Sequence, residues 1–142
     1  MRKIYRTLQK LRDFEKRERQ MQLAFAEQKR LEINDETQRL DEELFAERSV
    51  KVESPADAEL RDRLVTARFY ELTRSEDALI TQEEVVSLCV EQVKHAQRKA
   101  QMMEELIESI QKREAIEQNR KDGKILDDLA GVGWWRRQAE SL

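Results

Sequence analysis

Cysteine, proline, glycine and aromatic residues are all scarce in this chain of 142 residues. Cys89 is the only cysteine, which rules out an internal disulfide. One proline and three glycines leave few places for a turn, so long uninterrupted elements are expected. Aromatics make up 6% of the residues, fewer bulky apolar groups than a compact globular core of this length wants. No apolar run is long enough to span a membrane. Basic residues near Met1 are not followed by a hydrophobic stretch, so no secretory signal is expected. His95 is the only histidine, which excludes a multi-histidine metal cluster. There is no glycine-rich phosphate loop. Nothing in the sequence assembles a catalytic constellation, so neither an enzyme, a cofactor nor a small-molecule substrate is expected.

What is abundant is charge, at 40% of the residues, together with Glu, Lys, Arg, Gln, Leu and Ala, all good helix formers. So polar a composition is compatible with disorder, but the apolar residues are not scattered. Val65, Leu72, Leu79, Val86, Cys89, Val93, Ala96, Ala100, Met103, Ile107 and Ile110 fall on one ladder of alternating three- and four-residue steps. Of its fourteen positions only Arg68, Ser75 and Gln82 are polar. A period of 3.5 residues keeps one stripe facing a partner helix, the mark of a coiled coil. Cys89 on this ladder reads as a reduced, buried thiol. His95 lies beside the ladder and reads as a solvated helix position.

The expected fold is all-α: a long antiparallel two-helix coiled-coil hairpin in a single domain, residues 1–142. Helix one is expected over about 2–48. It lacks Pro and Gly and carries Ile33, Leu40 and Leu44 in heptad spacing through Thr37. Between Phe14 and Leu31 the stripe wanders, and weak or irregular packing is expected there. The connection falls at about 49–55, where Ser54 caps the second helix and Pro55 occupies its first turn. Two helices joined by so short a link fold back on each other. Helix two is expected over about 55–122, with Gly123 as a C-cap or kink. A separate tail, 123–142, holds Gly123, Gly131, Gly133, Trp134 and Trp135. At about 1.5 Å per residue the helices would measure roughly 70 and 100 Å, so the second overhangs the first or bends near Thr73 to Asp77.

A net charge of −3 does not suggest nucleic acid as a partner. The charge is segregated, however. Arg2, Lys3, Arg6, Lys10, Arg12, Lys16, Arg17 and Arg19 face only three acidic residues in the first nineteen, whereas Glu27 to Glu47 holds eight acids against Lys29, Arg30 and Arg39. A mixed solvated surface accounts for this; a dipolar rod that orients on a charged partner is the sharper reading. Two local features invite docking. Trp134, Trp135 and Arg136 either fold back over the open hairpin end or anchor into a partner's pocket, since Trp and Arg dominate interface hot spots. Leu44, Phe45, Phe69, Tyr70 and Leu72 near the loop either cap the coiled coil or form an apolar docking tip rimmed by Glu42, Glu43 and Glu47.

The stretch Gln118-Asn119-Arg120-Lys121-Asp122-Gly123-Lys124-Ile125-Leu126-Asp127-Asp128-Leu129-Ala130 resembles the C-terminal signature of the flagellar type III export stalk and chaperone family (FliJ). The match falls on Asn119, Arg120, Lys124, Leu126, Asp127 and Asp128. Leu72, Leu79, Ile80 and Gln82, and the basic Leu8-x-x-Leu11-Arg12 stretch, are also similar. The virulence type III secretion stalk family is similar in shape. The resemblance implies a stalk whose joined termini enter the pore of a hexameric secretion ATPase and whose loop end reaches the cytoplasmic ring of an export gate. It implies substrate chaperones as further partners, and a cytoplasmic location at the inner-membrane export apparatus without membrane insertion. Asn119, Arg120, Lys124, Asp127 and Asp128 are then the candidates to face the ATPase, and Leu44, Phe45, Phe69 and Leu72 the candidates for the gate. A generic coiled-coil scaffold or tether is the competing expectation.

Overall fold

The computed structural model describes residues 2–141 and consists of two helices, α1 (Arg2–Arg48) and α2 (Pro55–Glu140). Met1 and Leu142, the ends of the expected domain, lie outside the described residues. The helices pack against each other along a single seam to form an antiparallel hairpin. The loop ends where the chain chemistry dictates. Ser54 is extended, its hydroxyl accepts a hydrogen bond from the Asp57 N–H at 3.1 Å, and Pro55 opens the helix. That bond satisfies one of the amides a helix N-terminus leaves unpaired.

Every ladder position of α2 from Val65 to Ile110 is buried or half-buried. The three polar interruptions are as much part of the seam as the apolar residues, because each finds a partner on α1. Arg68 Nε donates to Glu47 at 3.2 Å. The Ser75 and Thr37 hydroxyls bond at 2.6 Å. Buried Gln82 donates from Nε2 to the Ala26 carbonyl at 3.0 Å. Farther along, Arg19 donates to Gln92 at 3.2 Å, and Arg2 pairs with Glu114 at 2.8 Å. Buried polar groups must be paired to avoid a desolvation penalty, so the buried and half-buried contacts of Gln82, Ser75 and Arg68 favour one register, while the exposed Arg19–Gln92 and Arg2–Glu114 contacts add little.

The seam changes character along its length. Near the loop, Leu40, Leu44 and Leu72 form the densest packing, with Val65 against them. Toward the termini the buried residues are small: Ala26 on α1, and Val93, Ala96 and Ala100 on α2. The facing α1 positions include half-buried Arg12 and Lys16, whose aliphatic stems can lie over alanines while their charges reach water. Bulky Phe14, Met21, Phe25 and Leu31 stay exposed.

The expected end of helix two is corrected. The helix runs without interruption through Gly123, Gly131 and Gly133 to Glu140, and no glycine adopts positive φ. A helical glycine costs only about 1 kcal/mol relative to alanine. No proline follows to stop the helix, and each glycine is carried along in it. There is also no break between Thr73 and Asp77. The length mismatch is taken up at the other end. With Arg2, the first described residue of α1, opposite Glu114, the stretch from residue 115 to 140 runs past the described start of α1, about 39 Å at the helical rise. The apolar ladder stops at Ile110, just where α1 begins to cover it.

Candidate functional site

The overhanging end of α2 carries the residues singled out for a partner at the termini. Asn119, Arg120, Lys124, Asp127 and Asp128 are all exposed there. Helical spacing places Arg120, Lys124, Asp127 and Asp128 on one face, while Asn119 stands about a quarter turn aside. Arg120 is drawn toward its own helix by Glu117, at 2.8 Å. Lys124 makes no ion pair among the described residues. The face thus offers two cations followed by two carboxylates one turn on, a pattern that suits an oppositely ordered partner surface.

Trp134 and Trp135 do not fold back over the hairpin. Both are exposed, and they touch edge-to-face, ring centroids 5.3 Å apart at 82°. Arg136 is exposed beside them. Adjacent helix positions point about 100° apart, so the two indoles cover neighbouring sides of the rod. Ile125, Leu126, Leu129 and Val132 are also exposed on this segment. A helix without a partner cannot bury its own apolar stripe.

At the loop end the structure divides the four gate candidates. Leu44 and Leu72 are each about 95% buried in the seam, at 4% and 6% exposure. Their ladder positions commit them to inter-helix packing, and they are not available as a docking surface. Phe45 and Phe69 sit one residue off the ladder and are exposed, with Phe69 edge-on to Tyr70 at 6.5 Å. Sequence reasoning overlooked a second apolar element here. Val50 and Val52 of the loop and Leu60 and Leu64 of α2 line a groove at the tip together with Glu47 and Arg61. Arg61 reaches the Val50 carbonyl at 3.5 Å. The signal was the Leu60–Leu64 pair, one turn apart and outside the ladder.

Just below the tip, Arg68 is surrounded by Glu43, Glu47 and Glu71 at 3.5, 3.2 and 3.1 Å. One oxygen each of Glu43 and Glu47 is buried without a hydrogen-bond donor. The Arg68 guanidinium is held above its ordinary pKa, first by its bond to Glu47 and then by Glu71 and Glu43. It stays charged at any working pH, and acts as a cross-link between the helices rather than as an acid.

His95 is exposed and borders a groove with Glu15, Glu18, Arg19, Gln92 and Lys99. Cys89 is half-buried on the ladder and unpaired. Among the described residues no group of His, Cys, Asp and Glu could hold a metal ion, and no helix is long and apolar enough to cross a membrane. Compared with known proteins, the chain matches no family model, no curated protein and no solved structure.

Proposed function

We propose that this chain is the central stalk and escort component of a bacterial flagellar type III export apparatus. In this reading the end bearing both termini enters the hexameric export ATPase ring, and the loop end reaches the cytoplasmic ring of the export gate at the inner membrane. One observation carries the reading. The stretch that resembles the export stalk family lies on the part of α2 that runs past the described start of α1, and its matching side chains are exposed. A bare helix about 39 Å long, with a basic α1 end beside it, suits insertion into a closed ring. Arg120, Lys124, Asp127 and Asp128 present the ATPase contact. Trp134, Trp135 and Arg136 anchor the far end. Phe45 and Phe69, with the tip groove, serve the gate.

A virulence secretion stalk would use the same geometry, and the genes beside this one distinguish the two systems. A generic tether is favoured only by the exposed apolar residues along α1, which could pair two copies. The deciding experiment mixes the purified chain with the secretion ATPase of its organism and follows oligomer mass. The stalk reading expects substoichiometric amounts to drive hexamer formation, and charge reversal by Arg120→Glu with Lys124→Glu to weaken the effect. A chain that dimerises alone and leaves the ATPase untouched is a tether.

A further inference from the structure

The outward face of α1 carries a second heptad ladder that α2 does not use. Ile4, Leu11, Phe14, Met21 and Phe25 recur at steps of seven, three, seven and four, with Thr7 and Glu18 at the two intervening positions. All five are exposed, from 48% for Leu11 to 82% for Phe25. The residues that α1 turns toward α2 over the same stretch are others, among them Leu8, Leu23 and Ala26. One helix therefore presents two stripes of the same period on different sides. A stripe confined to two positions per heptad is the width of a coiled-coil seam.

The residues beside the stripe say which kind of helix would cover it. Lys3, Lys10 and Arg17 also repeat every seven residues, each directly before a ladder position. In a coiled coil such flanking positions pair with charges on the partner. Here all three are exposed, and among the described residues the ion pairs of this stretch are Arg2–Glu114 and Arg12–Glu15, which involve none of them. A second copy laid antiparallel along the stripe would set Lys10 against Arg17 twice, a like-charge arrangement that disfavours antiparallel pairing. An anionic membrane also attracts basic amphipathic helices, but those offer a broad apolar face, and this stripe is narrow and interrupted by Glu18.

We propose that the outer face of α1, from Ile4 to Phe25, docks an acidic amphipathic helix of a partner protein, adding a third helix to the hairpin. The apolar ladder supplies the seam, and Lys3, Lys10 and Arg17 select Glu or Asp at the partner's flanking positions. This site is independent of the stalk reading, because it uses neither the overhang nor the loop tip.

The test uses the full chain and a labelled four-heptad peptide with Leu at both core positions of each heptad and Glu at the flanking ones. Glu–Glu repulsion keeps this peptide from pairing with itself. The control peptide has Lys in place of every Glu. By fluorescence anisotropy at physiological salt, the acidic peptide is expected to bind at least about tenfold tighter than the basic one. Lys10→Glu with Arg17→Glu reverses that preference. Phe14→Ser with Met21→Ser weakens the acidic peptide about tenfold at unchanged helicity, since both side chains are exposed. Equal affinity for the two peptides, or no binding of the acidic one, overturns the proposal. So does a dimer in sedimentation that Phe14→Ser with Met21→Ser dissolves, which would give the stripe to a second copy. Uptake by phosphatidylglycerol vesicles that the same pair of substitutions abolishes, without peptide binding, would give it to a membrane.

Discussion

Leu44 and Phe45 are neighbours in sequence with opposite fates, because one lies on the seam ladder and the other lies one residue off it. Leu44→Ala removes a side chain packed against Leu40 and Leu72. It is expected to cost about 2–3 kcal/mol, visible as a lowered midpoint in urea unfolding. Phe45→Ala with Phe69→Ala removes exposed rings and should leave the midpoint nearly unchanged while impairing any contact made by the tip. A collapse of helicity in that double variant would show that these rings belong to the packing. Arg68 makes a different kind of contribution. Its single charge offsets part of the repulsion among three carboxylates near the junction of the helices. Arg68→Ala should lower the thermal midpoint, and added salt should recover part of the loss by screening the remaining repulsion. Arg68→Met, which keeps the stem, should show the same salt response. A loss indifferent to salt would mean that the stem matters more than the charge.

Within the helices, the polar layers Thr37–Ser75 and Gln82–Ala26 interrupt an otherwise apolar seam. Such layers give up some stability and in return oppose slippage to another register. The overhang of α2 has a different weakness. It has no seam, so its persistence rests on intrinsic propensity, and three of its residues are glycines. A β-carbon built at Gly123 or Gly131 meets nothing within 4 Å. Gly123→Ala with Gly131→Ala should therefore stabilise this segment by about 1 kcal/mol per site, read as slower amide exchange over 115–140 and higher helical ellipticity. Unchanged exchange would mean that the free protein does not hold this stretch as helix. The glycines misled the sequence reading because they often mark helix ends, yet that requires a left-handed residue and a reason to stop. Neither is present.

Taken whole, the molecule is a rod with one reinforced part and one bare part. Truncation after Glu114 keeps every buried or half-buried ladder position from Val65 to Ile110 and the Arg2–Glu114 ion pair. The shortened chain should unfold with nearly the same midpoint as the full chain and, on the stalk reading, should no longer promote ATPase hexamers. A large drop in the midpoint would place the overhang in the fold itself.

The period of the ladder, the helix-starting pair Ser54-Pro55 and the helical composition were enough, read alone, to specify two helices, their turn and the face α2 buries. These are local properties: a repeat of 3.5 residues encodes a stripe wherever the chain lies. Which of two stripes on α1 would be covered was not local. Met21 and Phe25 are as apolar as anything in the seam, yet Ala26 is buried and they are not. The tertiary register, set by paired polar groups far apart in sequence, decided that. The same register decided where α1 ends against α2, and so left both the overhang and the outer face of α1 without a partner.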